Sequence, residues 1–119
     1  MTEDEFRTLI FSFPGVEPGT SYGHASFKLN GKFFTRVRAE DGSAVLQDVP
    51  PDERGALMQA EPEVFHLTDH YRNYPMVLAR LAPASVDQVR GLLERSWRRR
   101  APKRLLKAGR PGDETARET

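Results

Sequence analysis

The chain contains no cysteine, which removes disulfides, zinc–thiolate centres and cysteine nucleophiles from consideration. It has no apolar run near the ~20 residues that a membrane helix requires. Its first residues, MTEDEF, are acidic, unlike the basic and then apolar start of a secretory leader. A cytoplasmic protein is therefore expected. Phosphate-cradling glycine loops and dinucleotide fingerprints are also missing. The stretch GHASFKLNG has its glycines at the wrong spacing and opens a hairpin rather than a helix. No elbow motif presents a serine nucleophile, and no pair of acids stands out for acid–base work. A protein that is not an enzyme and carries no cofactor follows as the expectation.

What is present is compatible with one domain of 119 residues, 29% of them charged. The net charge is only +1, but it is unevenly spread. Residues 83–119 hold ten Lys and Arg against five acids, whereas residues 1–24 hold one Arg against four acids. A basic patch of this kind can attract phosphates, although a basic helix face is more often simply solvated.

Periodicity predicts a helix over 2–13, with Phe6, Leu9, Ile10 and Phe13 on one face. Thr2 and Glu5 form a capping box, and Pro14-Gly15 stops the helix. Residues 16–24 read as a connection, with at most a short strand near Tyr22. Residues 25–38 read as a hairpin around Asn30-Gly31, because both residues tolerate the positive φ of a type I′ turn. That register sets Phe27 opposite Phe34. It gathers Phe27, Leu29, Phe34, Arg36 and Arg38 on one face and Lys28, Phe33, Thr35 and Val37 on the other. A third strand is expected over 43–49 and a short helix over 51–60, with Leu57 and Met58 inward. Two more strands follow over 63–67 and 76–82. Ser85 and Gln88 make a second capping box for a helix carrying Val86, Val89, Leu92, Leu93 and Trp97 inward. Residues 107–119 lack apolar anchors, so a polar, disordered tail is expected. The order helix, strands, helix, strands, helix gives an α+β fold.

The loop TDHYRNYP, residues 68–75, concentrates one of three histidines and two of three tyrosines. Its bland reading is a polar plug in which Asp69 or Asn73 orders a turn. Its functional reading is a recognition loop formed by His70, Tyr71, Arg72 and Tyr74. His66 and His70 lie four apart, but on a strand and a loop rather than a helix, so no metal site is expected. Lys28, Lys32, Arg36 and Arg38 make the hairpin basic beside Phe33 and Phe34, and Arg72 extends the set; cations next to aromatics suit nucleic acid.

The segments GVEPGTSYG, FKLNGKFF, EPEVFHLTDHYRNYPMVLARL and RSWRRRAPKRL resemble the MmcQ/YjbR family of small bacterial proteins, over roughly residues 3–106. The resemblance implies a frataxin-like α-β(5)-α fold, with an antiparallel sheet and two main helices on one of its faces. It puts the family domain at 1–106. It also implies DNA binding of low sequence specificity through the sheet face and its loops. The alternative expectation is a protein-interaction or homodimerisation module in which Phe33 and Val37 meet a partner.

Overall fold

The structure, a computed structural model, describes residues 1–21 and 23–107. The tail beyond Lys107 and the position of Tyr22 lie outside the described residues. Helix α1 (Glu3–Phe11) opens the chain, followed by strands β1 (Val16–Ser21), β2 (His24–Leu29), β3 (Lys32–Thr35), β4 (Val37–Arg38) and β5 (Ser43–Gln47). Then come helix α2 (Pro51–Ala60), strand β6 (Phe65–His66), a 3-10 turn (Asp69–Tyr71), strand β7 (Met76–Arg80), and helices α3 (Val86–Arg100) and α4 (Lys103–Leu106). The fold is α+β and every strand pairing is antiparallel.

Local chemistry explains the element ends. The Glu5 amide donates to the Thr2 hydroxyl at 3.0 Å, and the Thr2 amide donates to the Glu5 carboxylate at 2.8 Å. This closed capping box satisfies two amides that a helix start leaves bare. Asn30 and Gly31 have φ of 55° and 77°, the left-handed pair that a tight hairpin turn demands. The second capping box closes only on one side. Ser85 accepts from the Gln88 amide, but the Gln88 side chain donates to Glu61 at 2.7 Å instead.

The strands form two hydrogen-bonded sheets, ordered β1-β2-β3 and β4-β5-β7-β6. They abut along β3 and β5, where side chains stitch the seam. Thr35 Oγ1 donates to the Val45 carbonyl at 2.6 Å, and Gln47 Nε2 donates to the Phe34 carbonyl at 2.8 Å. One face carries the main core. Phe6, Leu9 and Ile10 of α1 and Val89, Leu93 and Trp97 of α3 pack there on Phe27, Phe34, Leu46 and Val77. Trp97 is fully buried, and its indole donates to the Pro14 carbonyl at 2.9 Å. Leu57 and Met58 of α2 and Leu105 of α4 join the edge of this core. Gly15 is required where it stands, because its φ is +82° and a Cβ there would collide with Leu105. On the opposite face Val45, Met76 and Leu78 form a smaller cluster with half-buried Phe33, Leu67 and Tyr71.

The five expected strands are all present, with three differences. Residues 16–21 form an additional edge strand. Pro18 is tolerated in it because only one side of an edge strand must be paired. The expected 32–38 strand is divided at Arg36 into β3 and β4. The hairpin register also slips by one residue. Lys28 faces Phe33 as expected, but Phe27 faces Thr35 rather than Phe34. Phe34 is the extra residue of a β-bulge, and one extra residue reverses the side-chain alternation beyond it. Val37 therefore packs with the helix-side core, and Arg36 emerges on the opposite face beside Phe33. The expected face assignment of these residues is thus inverted.

Candidate functional site

The bulge decides what the open sheet face offers. A concavity of about 760 Å³ lies there, crossing the seam between the two sheets. Phe33, Val45 and Met76 contribute its apolar floor. Lys28 and Arg36 supply cations, and His24, His70, Tyr71 and Tyr74 complete the rim. Among the described residues, no Asp or Glu contributes to the lining. Lys28 lies across β1 because Gly19 has no side chain; a Cβ there would press on the lysine stem. Glu17 stands opposite Lys28 in the strand register. Even so, among the described residues no carboxylate lies within ion-pair distance of Lys28 or Arg36. Arg36 instead donates weakly to the Tyr71 hydroxyl at 3.4 Å.

The TDHYRNYP loop is held from beneath by a residue that sequence reasoning missed. Arg54 of α2 is buried and donates to two loop carbonyls, Tyr74 at 2.8 Å and Arg72 at 3.2 Å, and to the carbonyl of Met76 at the start of β7, at 3.2 Å. A guanidinium presents five donors in a rigid fork, so one side chain fixes the whole return of the loop. The only cue in the sequence is spacing: Arg54 precedes Leu57 and Met58 by three and four residues, on the inward side of the helix. Asp69 does not bond a backbone amide, as the plug reading supposed; its carboxylate takes Arg72. His70 packs edge-on against Tyr71, with ring centroids 4.6 Å apart. Tyr74 is left 57% exposed above an anchored backbone.

Of the cations picked out in the sequence, Lys28 and Arg36 meet at the concavity together with His70, Tyr71 and Tyr74. Lys32 sits exposed near the hairpin tip. Arg38 is largely buried; it pairs with Glu40 and Asp41 and lies over the Tyr71 ring. Arg72 is exposed and engaged by Asp69.

The YjbR family matches residues 11–99, a span that includes Arg54 and the whole lining of the concavity. The chain belongs to the YjbR family. Proteins of Mycobacterium tuberculosis and Mycobacterium bovis, each described as uncharacterised, are 34% identical to it over 84 residues. The aligned region is 68% of this chain and 65% of theirs, so the match spans about two thirds of these relatives. No solved structure matches.

The second basic region of this YjbR chain is arranged differently. Arg95 makes a two-pronged pair with Glu53, at 2.7 and 2.8 Å, and also donates to the Asp48 carbonyl. Asp48 accepts from Arg100 at 2.7 and 3.1 Å and from Ser96 at 2.8 Å, with Arg99 at 3.6 Å. Burial alone would raise the Asp48 carboxyl. The hydrogen bonds from Arg100 and Ser96, and the charges of Arg100 and Arg99, outweigh it and hold the group below its ordinary value. Arg98 approaches Glu94 at 3.9 Å. Lys103 and Arg104 of α4 remain exposed.

Folding also joins Ser43, His66 and Asp41, which no sequence motif connects. The Ser43 hydroxyl lies 2.7 Å from His66 Nε2, and Asp41 approaches the same nitrogen at 3.7 Å. In a catalytic triad the acid would meet the other ring nitrogen, and here Ser43 is fully buried. Burial, aided by the charge of Arg80, holds the His66 imidazole below its ordinary pKa against the pull of Asp41. The cluster works as a polar staple between β5 and β6. His66 and His70 thus have separate partners. Among the described residues, no group of three His, Asp or Glu side chains is placed to hold a metal. No helix among them is long and apolar enough to cross a membrane.

Proposed function

We propose that this chain binds DNA with low sequence specificity through the concave sheet face and its loop, acting as a binding protein rather than an enzyme. The observation that carries the reading is the composition of the concavity: Lys28 and Arg36 without carboxylate partners, beside the aromatic surface of Tyr74 and Phe33. Cations with no carboxylate at ion-pair distance among the described residues can release counterions from phosphates, the general source of affinity for nucleic acid. Low specificity follows because the described helices pack on the other side of the sheet, leaving none of them to read base edges in a groove. The rival reading, an interaction or homodimer module, needs bare apolar surface on this face. Phe33 stays half-buried there and Tyr74 exposed, but Val45, Met76 and Leu78 are already buried, and Val37 points to the core, which leaves little for a partner's apolar surface.

Fluorescence anisotropy with labelled DNA at ~50 and ~200 mM salt tests the reading. Saturable binding that weakens with salt is expected. Lys28→Ala with Arg36→Ala should weaken it about tenfold or more at the lower salt, whereas Lys32→Ala with Arg72→Ala should change it far less. Absence of binding at ~50 mM salt would reject the reading and favour the interaction module, which size-exclusion with light scattering would then examine.

A further inference from the structure

We infer that the DNA accepted by this face is single-stranded, its unpaired bases stacking on Tyr74 and Phe33 while its phosphates meet Lys28 and Arg36. The inference rests on the DNA reading above and narrows it to one form of the ligand. Its first ground is the supply of charge. Lys28 and Arg36 are the cations of the concavity, while Arg38 and Arg72 nearby are committed to Glu40, Asp41 and Asp69. Proteins held to duplex DNA by its backbone commonly neutralise about six to ten phosphates. A site with so few free cations needs a second source of affinity.

The aromatic surface supplies one. Stacking of an unpaired base on an aromatic ring strengthens binding about ten- to a hundredfold per base, with little regard to sequence. In a duplex the faces of the bases are already covered by their neighbours, so an exposed ring at the rim of a concavity finds only backbone and groove edges. Tyr74 is 57% exposed, and its own carbonyl is fixed by Arg54 at 2.8 Å. The ring therefore stands on an ordered backbone, and less loop freedom is lost when a base settles on it. The floor of Phe33, Val45 and Met76 has no charged atom to desolvate under a base.

The test compares an oligo-dT of about twelve nucleotides, within the footprint of known single-strand folds, with a duplex of the same length, by anisotropy. The single strand should bind at least tenfold tighter. Its log K should fall with log salt at a slope of about −1.4, the value for two phosphate contacts on a single strand. Tyr74→Ala should weaken oligo-dT binding about tenfold or more, and Tyr74→Phe should leave it nearly unchanged. Because Tyr74 is exposed, both variants should melt with the parent protein, which keeps a binding loss interpretable. Duplex bound as tightly as the single strand, or oligo-dT binding indifferent to Tyr74→Ala, would overturn the inference while leaving DNA binding in place. Binding of neither form would remove the DNA reading and this inference together.

Discussion

The arginine-rich helix α3 and the open sheet face are both basic in the sequence, yet their charges are in opposite states. On α3, Arg95 is matched by Glu53, Arg99 and Arg100 share Asp48, and Arg98 has Glu94. On the sheet face, Lys28 and Arg36 line a concavity to which no carboxylate of the described residues contributes. The richer cluster is thus the more neutralised one. Clustered arginines in a sequence mark where charge is placed, and acids from distant segments decide whether it is free. Asp48 reaches Arg100 across 52 positions of chain, a distance no local pattern can reveal.

The contrast can be broken from either side. The largest effect is expected from Arg54→Met, which removes the donors to the Arg72, Tyr74 and Met76 carbonyls. A loss of about 2–3 kcal/mol in urea unfolding is expected, with faster proteolysis at 68–75. Next is Asp48→Asn. Asn tolerates the +65° φ at this site, so the change isolates the charge. It should lower stability by about 1–2 kcal/mol. Because Arg99 and Arg100 stand on the helix side of the sheet, the salt dependence of DNA binding should stay unchanged. Arg98→Ala with Arg99→Ala should sharpen the contrast by doing little. Both side chains are substantially exposed, so a stability change within about 0.5 kcal/mol and unaltered DNA affinity are expected.

The smallest effect concerns pH. His66 is held below its ordinary pKa in the folded chain, so the unfolded chain takes up the proton more readily. Stability should therefore be complete above about pH 6.5 and decline as pH falls below it. Thermal melts between pH 5 and 7.5 should show that decline, and His66→Gln should flatten it.

Features encoded by neighbours in the chain were legible. The Thr2–Glu5 capping box, the Asn30-Gly31 turn and the inward stripe of α3 all follow from residues within a turn or two of each other. At the candidate site, five of the eight residues singled out in the sequence meet at one concavity: Lys28, Arg36, His70, Tyr71 and Tyr74. What escaped depends on long-range packing. β1 carries Pro18 and Gly19, residues that normally argue against a strand, and is permitted only by its place at the sheet edge. The bulge at Phe34 leaves no mark on the run KFFTRVR, which shows no clean apolar and polar alternation, so strict alternation places Arg36 on the wrong face. Arg54 looked like any charged residue of an exposed helix. Its role depends on a loop some 20 residues further on.

The seam between β3 and β5 has a mechanical consequence. Its plates are tied there by the Thr35 and Gln47 side chains, by one backbone bond from the Val45 amide to the Arg36 carbonyl at 3.0 Å, and by the chain itself at Arg36, in place of a full backbone ladder. Phe33 and Lys28 belong to one plate, Val45 and Met76 to the other. Whatever settles in the concavity straddles the joint and acts as a splint across it. Occupancy should then register as stiffness, with slower amide exchange along β3 and β5, even where no atom of the ligand touches the backbone.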